Sequence, residues 1–168
     1  MGINSCLWLI VFEKKNMSLV EKLLSNVDIL EKDYQTVKKY VRRIPHKEQN
    51  PFGKGWGTVI LKYGRYSKAS QLIPETQELI SDDRIRAAHF IVLYPKSFVP
   101  PNTHIKYYED SIVHHIPLIV PKGETGMVFE DGEVKKWVVG ESISYQSRRL
   151  YAGYNFTDEE RVLLHIVE

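Results

Sequence analysis

The sequence is poor in features that would tie it to several common classes of protein. It contains a single cysteine, Cys6, so it cannot form an internal disulfide, and it fits a reducing compartment. Lysine and arginine together number 23 against 21 acidic residues, which leaves a net charge of only +2. So small a charge does not require a nucleic-acid or membrane partner, and we expect neither.

Long apolar runs are also missing. No segment reaches the roughly 18 apolar residues that a membrane-spanning helix needs. The apolar run Cys6–Phe12 has no basic segment before it and no small-residue cleavage site after it. We therefore predict a cytoplasmic or otherwise intracellular protein without a signal peptide or transmembrane segment. Residues 1–16 are predicted to be either a leader before a start at Met17 or an N-terminal strand.

Several catalytic signatures are absent as well. The sequence has no glycine-rich phosphate loop, no Cys-x-x-Cys pair and no nucleophile elbow, and its carboxylates are scattered rather than paired. It contains no internal repeat and no low-complexity tract. A length of 168 residues predicts a single domain that can bury a core of its own.

The N-terminal part, residues 17–55, is predicted to be helical. Ser18-Leu-Val-Glu21 is a capping box, in which each of the two polar side chains accepts from the other residue's amide. A break is expected at residues 25–26. A second helix then follows, with an apolar stripe at Leu30, Tyr34, Val37 and Val41.

Basic residues follow this stripe, at positions 38, 39, 42 and 43. They are either the solvated end of a helix, where cations complement the helix dipole, or part of a phosphate-binding surface. Arg148 and Arg149, in a predicted loop, would complete that second alternative.

Residues 56–168 are predicted to be mostly β. Alternating or β-branched segments predict strands at 57–63, 85–94, 112–120, 126–129, 134–137, 138–145 and 161–167, with a short helix at 74–80. Asp131-Gly132 is a hairpin signal. The Pro100-Pro101 segment and residues 146–156 are predicted to be loops. Helices followed by many short strands indicate an α+β fold, with N-terminal helices packed on a β-sandwich or small barrel.

The strand at 112–120 contains two adjacent histidines on opposite faces. His115 shares a face with Val113, where it either binds an anion or is a core histidine bonded to a neighbour. His114, on the other face, is predicted to be structural. His165 shares the face of Arg161 on the last strand and is a further candidate ligand.

The order of these segments resembles that of the aspartyl/asparaginyl β-hydroxylases, which are double-stranded β-helix (jelly-roll, cupin-like) oxygenases that use Fe(II) and 2-oxoglutarate. The segments that carry the resemblance are 56–64, 73–80, the Pro-Pro segment, 115–121, 136–141 and 158–164. The resemblance covers roughly residues 56–167 and rests on order and spacing together rather than on one motif.

The resemblance also implies a set of site residues. Arg161 and His115 would bind the carboxylates of 2-oxoglutarate, because an arginine fork matches two carboxylate oxygens. His104 would be a metal ligand, with Asn102 as the alternative when the Pro-Pro pair is aligned, and Tyr151 stands at the second metal-ligand position. Val113 stands where the family has a further arginine.

Two functions remain open at this point. The resemblance implies an Fe(II)/2-oxoglutarate-dependent dioxygenase that hydroxylates a protein or peptide side chain. The replacements at Val113 and Tyr151 keep an alternative open, a catalytically inactive jelly-roll module used for protein binding or assembly.

Overall fold

The structure is a computed structural model that describes residues 17–44, 54–104 and 108–168. The predictions for residues 1–16 therefore lie outside the described part of the chain. The helices are α1 (Leu19–Leu24), α2 (Val27–Val37) and α3 (Pro74–Leu79), with 3₁₀ turns at Lys38–Tyr40 and Ser70–Leu72. None of the helices in the described ranges has the length and apolar character needed to cross a membrane.

The strands form two antiparallel sheets. They are β1 (Arg42–Ile44), β2 (Trp56–Tyr63), β3 (Arg65–Tyr66), β4 (Ala87–Leu93), β5 (Ser97–Asn102), β6 (Ile112–Ile119), β7 (Thr125–Phe129), β8 (Val134–Lys136), β9 (Ile143–Gln146), β10 (Tyr151–Asn155) and β11 (Arg161–Val167). The larger sheet has the order β1-β2-β4-β11-β6-β9, with β3 paired to β2, and the smaller has the order β5-β10-β7-β8.

A helical layer covers the outer face of the larger sheet. The predicted capping box is present, since the Ser18 hydroxyl accepts from the Glu21 amide at 3.2 Å and the Glu21 carboxylate accepts from the Ser18 amide at 2.8 Å. Tyr34 of α2 packs edge-on against Phe90 of β4, with ring centroids 5.6 Å apart. The apolar core beneath the helices includes Leu23, Leu30, Tyr34, Phe90, Ile116 and Leu164.

The second core lies between the two sheets. It includes Val113, Met127, Phe129, Ile143, Leu163 and Val167, together with three aromatic residues, Trp137, Tyr145 and Tyr151. In β11, Leu163 and Val167 face this interior, whereas Val162, Leu164 and Ile166 belong to the core under the helices. In β6, Val113 faces the interior, and Ile116, Leu118 and Ile119 lie on the helical side. The predicted α+β fold, with helices packed on a β-sandwich, is thus confirmed.

The basic cluster after the second helix is arranged differently from the prediction. Helix α2 ends at Val37 and has no basic residue in its last turn. Lys38 and Lys39 lie in the 3₁₀ turn, and Arg42 and Arg43 lie in β1, which pairs with β2. Lys38 is the C-cap of α2 and Lys39 follows it in the turn that continues the helix, so the helix-end explanation fits these two residues and is wrong for Arg42 and Arg43.

Two predicted loops are strands. The Pro-Pro segment belongs to β5, an edge strand of the smaller sheet, where proline is tolerated because one row of backbone groups is not used for pairing. Residues 151–155 form β10, which pairs on both sides with β5 and β7. The aromatic side chain of Tyr151 is therefore buried inside the sandwich rather than exposed at a loop tip.

One predicted strand is shorter than expected. The strand predicted at 138–145 begins only at Ile143, because Gly140 turns the chain with a φ of 90°. This turn lets the chain cross from the smaller sheet to β9 in the larger one.

Candidate metal centre

Three histidines meet inside one end of the sandwich. Cross-strand pairing places His165 of β11 directly opposite His115 of β6, and His115 Nε2 lies 3.0 Å from His165 Nδ1. His104 follows β5, where its amide donates to the carbonyl of Ser147 at 2.9 Å. One ring nitrogen from each histidine falls within 4.8 Å of the other two, so the three can share one metal ion.

Two tyrosines border this three-histidine cluster. The Tyr145 hydroxyl lies 3.2 Å from His115 Nε2 and 3.4 Å from His104 Nε2. The Tyr151 hydroxyl lies 3.2 Å from His104 Nε2, and the two rings stack with centroids 5.5 Å apart. A phenol can donate to an imidazole nitrogen or accept from an imidazole N–H, so these contacts fit neutral histidines in either tautomer.

Burial keeps the cluster uncharged. It lowers the pKa of His104 to about 4, and it lowers the pKa values of His115 and His165 well below the usual range. Burial also raises the pKa values of Tyr145 and Tyr151. At neutral pH the cluster therefore consists of neutral imidazoles and neutral phenols, with lone pairs available to a cation.

Arg161, at the start of β11, is a buried, positively charged residue beside the cluster. Its side chain is only 2% exposed, and its guanidinium lies over the Trp137 ring, 4.9 Å from the centroid. Burial lowers its pKa to about 10, so it stays charged at neutral pH. Within the described part of the chain no carboxylate pairs with it, and its Nε and Nη1 atoms have no hydrogen-bond partner.

A small cavity links Arg161 with the histidines. It has a volume of about 60 Å³, and its lining includes Arg161, Trp137, Tyr151, His104 and His115. A buried guanidinium with unpartnered donors and two histidines of the cluster thus line the same cavity, and such a guanidinium suits an anion.

A larger cavity adjoins the same cluster from the other side. Its volume is about 410 Å³, it opens to solvent, and its lining includes His104 and His165. Both cavities are bordered by Trp56, Ile91, Asn102 and His104, so they are two lobes beside one cluster. We refer to them as the arginine lobe and the open lobe.

The structure brings the predicted site residues together. His104, His115, Tyr151 and Arg161 all line the arginine lobe, and Asn102 lines it from the end of β5. The cofactor and metal roles assigned to these residues stay predictions. His115, predicted to bind the cosubstrate, also contacts His165, so its geometry suits a metal ligand as well.

Other residues near the cluster were harder to identify from the sequence alone. His165 was only a further candidate, because its contact with His115 depends on strand register. Tyr145 was missed, although the alternation of buried Ile143 and Tyr145 with exposed neighbours marks an inward face. His114 lies away from the cluster, with its ring nitrogens at 2.8 Å from the Ser144 hydroxyl and 3.1 Å from the Glu168 carboxylate.

Arg148 and Arg149, which belong to the suggested phosphate surface, are already paired with carboxylates. Arg148 contacts Glu109 at 3.1 Å and Asp110 at 2.6 Å. Arg149 contacts Asp131 at 2.6 Å and Glu133 at 2.7 Å. Because carboxylates balance both guanidiniums, this loop offers little attraction to phosphate.

The fold and the cluster define a class of protein. Two antiparallel sheets in jelly-roll order, with histidines gathered between them at one end, are the architecture of the double-stranded β-helix proteins. Neutral imidazoles are good ligands for Fe(II) and other divalent transition metals, so the residues present fit a metal of this kind. The buried and unpartnered guanidinium of Arg161 fits a carboxylate-bearing cosubstrate.

The sequence places the chain in a family within this class. The sequence model of the aspartyl/asparaginyl beta-hydroxylase family matches residues 24–167, and the chain belongs to that family. The predicted family and the predicted double-stranded β-helix are both confirmed. A search of curated proteins found none that matches the chain.

Solved structures show the same fold at low sequence identity. The α-ketoglutarate-dependent epimerase SnoN from nogalamycin biosynthesis has a TM-score of 0.61 and 13% identity over 85% of this chain and 72% of its own. The carbocyclase SnoK from the same biosynthesis has a TM-score of 0.60 and 12% identity, covering 85% and 74%. A 2OG-Fe(II) oxygenase family oxidoreductase from Burkholderia pseudomallei has a TM-score of 0.57 and 10% identity, covering 90% of both chains.

Proposed function

We propose that the protein is an Fe(II)/2-oxoglutarate-dependent dioxygenase that hydroxylates a side chain of a protein or peptide. Its metal would be held by His104, His115 and His165, and one carboxylate of 2-oxoglutarate would be held by Arg161. The family supports the reaction class. The observation that carries the proposal is the combination of three clustered imidazoles with a buried, unpartnered guanidinium beside one cavity.

Charge balance supports a dianionic cosubstrate. The cluster contains no carboxylate, so three neutral histidines leave both charges of a divalent metal uncompensated. Arg161 adds a third positive charge to the same buried region, and charges in such surroundings need counter-charges nearby. A dicarboxylate bound to both the metal and Arg161 supplies two negative charges.

The chain's own residues prepare this site. When bound, Fe(II) and 2-oxoglutarate supply the oxidising chemistry. The buried rings of Trp137, Tyr145 and Tyr151 pack against His115 and shield that side of the cluster from bulk water. The tyrosine hydroxyls hold His104 and His115 in place by hydrogen bonds. They would turn to a bound ligand once the metal occupies the nitrogen lone pairs.

Metal and cosubstrate binding provide a direct test. Anaerobic titration of the purified protein with Mn(II), followed by 2-oxoglutarate, should give saturable binding of each by calorimetry and should raise the melting temperature. In His165→Ala we expect metal affinity to fall by about tenfold or more, because one of three ligands is lost. His114→Gln is the matched control and should bind Mn(II) normally, since His114 lies outside the cluster.

The same titration decides between the proposal and its alternative. If neither Mn(II) nor 2-oxoglutarate binds the wild-type protein, and the melting temperature does not change, the dioxygenase assignment fails. The catalytically inactive binding module would then be the better description.

A further inference from the structure

The open lobe has a composition that bears on the substrate. Its lining contains Trp56, Ile60, Tyr63, Ile91 and Tyr108, and it contains no lysine, arginine, aspartate or glutamate among the described residues. Its volume of about 410 Å³ lies in the range of pockets that bind small organic molecules, about 300–1,000 Å³. The surroundings offered to a substrate beside the histidines are therefore aromatic and aliphatic.

The polar groups of the open lobe are neutral. His89 stands on β4 beside the cluster, its ring centroid 5.7 Å from that of His165. Its Nε2 atom and the Thr58 hydroxyl have no hydrogen-bond partner in the described part of the chain. A histidine and a hydroxyl of this kind can accept or donate one hydrogen bond each to an amide or hydroxyl, but they do not neutralise a carboxylate.

Three cations, Arg161, Arg86 and Lys62, line cavities that share residues with the open lobe, but none of them lines the open lobe itself. Arg161 lines the arginine lobe and does not line the open lobe. The Arg86 guanidinium donates to the Ser111 hydroxyl at 2.7 Å, and Lys62 donates to the carbonyls of Ile80 and Asp82 at 3.3 and 3.1 Å. Among the described residues, a carboxylate entering the metal-free open lobe would thus lose its water without gaining a side chain of opposite charge.

From this lining we infer that the group presented for oxidation is uncharged and largely apolar, and not an aspartate carboxylate. The inference takes the oxidation reaction from the proposed function. The open lobe, however, is formed by the chain alone, without a metal. The group can belong to a peptide side chain or to a free small molecule, which share this chemistry.

A matched pair of probes tests the charge preference. We would measure binding of 4-methylbenzamide and 4-methylbenzoate, which differ little in shape, to the metal-free protein by calorimetry. The measurement is repeated in Arg161→Met, where the carboxylate can no longer use the arginine lobe. In that variant we expect 4-methylbenzamide to bind as it does to wild type. We expect 4-methylbenzoate to bind the variant at least about tenfold more weakly than the amide does.

A charge added to the open lobe provides a second test. Ile60 is 46% exposed, lines the lobe and pairs with His89 across β2 and β4. Ile60→Arg should strengthen 4-methylbenzoate binding at least about fivefold while changing amide binding little. The matched control is Val134→Arg on β8, which is 53% exposed and lies outside the lobe. It should change neither affinity.

The outcomes separate the inference from the proposed function. If the benzoate binds Arg161→Met as tightly as the amide does, or if the amide does not bind the wild-type protein, the inference is overturned whatever the metal titration shows. If the amide binds selectively but Mn(II) and 2-oxoglutarate do not, the inference about the lobe survives and the dioxygenase assignment fails. Comparing acetyl-Phe-amide and acetyl-Asp-amide with the free ring compounds shows whether a peptide backbone adds affinity.

Discussion

Replacing Arg161 with methionine should separate ligand binding from stability. The wild-type guanidinium is buried with no carboxylate paired to it in the described part of the chain, and burial, which disfavours the charged form, lowers its pKa to about 10. Since a pKa difference of one corresponds to about 1.36 kcal/mol, this fall corresponds to about 3 kcal/mol of destabilisation in the metal-free fold. Methionine has a similar length and carries no charge, so it should relieve most of this cost.

The gain is reduced by one lost contact. The guanidinium lies over the Trp137 ring at 4.9 Å, and such a cation–π contact is worth about 0.5–2 kcal/mol. We therefore expect Arg161→Met to be more stable than wild type by about 1–2 kcal/mol when metal is absent. Arg161 would then serve ligand binding while lowering the stability of the metal-free fold.

Urea unfolding in the presence of a chelator measures this difference. With a denaturant slope of about 2 kcal/mol/M, the midpoint should rise by about 0.5–1 M. Arg65→Met is the control, because Arg65 is exposed on β3 and should change stability by less than about 0.5 kcal/mol. After loading with Mn(II), 2-oxoglutarate should raise the melting temperature of wild type but not of Arg161→Met.

Two results would contradict this reasoning. A loss of more than about 1 kcal/mol in Arg161→Met would show that the guanidinium makes a structural contact stronger than its desolvation cost. Full stabilisation of the variant by 2-oxoglutarate would show that the cosubstrate does not use Arg161.

Three further predictions address the cluster and the helical layer. Tyr151→His places an imidazole where the hydroxyl lies 3.2 Å from His104 Nε2, and it should raise Mn(II) affinity by about tenfold or more in calorimetry; weaker binding would contradict it. The metal-free protein should lose several kcal/mol of unfolding free energy as pH falls from 6.5 to about 4, because the pKa values of His89 and His104 are lowered to about 4 and only the unfolded chain takes up protons there. Urea midpoints measured across that range check this, and a flat profile would refute it. Ser18→Ala removes the hydroxyl of the capping box and should lower stability by about 1 kcal/mol, whereas Ser18→Asp should retain most of it.

Much of the fold was predictable because local signals agreed with the global arrangement. The capping box set the start of α1, and the Asp131-Gly132 pair joined two strands as expected. The errors fell where tertiary context decides. Pro100 and Pro101 read as a loop because proline weakens a strand, yet they are accommodated at a sheet edge that the sequence does not mark.

The site was harder to predict than the fold, for a different reason. His115 and His165 are 50 residues apart in sequence and meet only because β6 and β11 pair in one particular register. A shift of one residue would turn either side chain to the opposite face. The resemblance to the family could point to positions such as Arg161 and Tyr151, but it could not show that His165 lies in one cluster with His104 and His115.

The distribution of the three histidines over the strands has a mechanical consequence. His115 and His165 belong to the larger sheet, whereas His104 follows β5 at the edge of the smaller one. A metal ion held by all three would cross-link the two sheets at one end of the sandwich, much as a disulfide joins distant parts of a chain. Metal loading should therefore slow amide hydrogen exchange in β5 more than in β8 at the other edge, and metal loss should loosen the sandwich first beside the site itself.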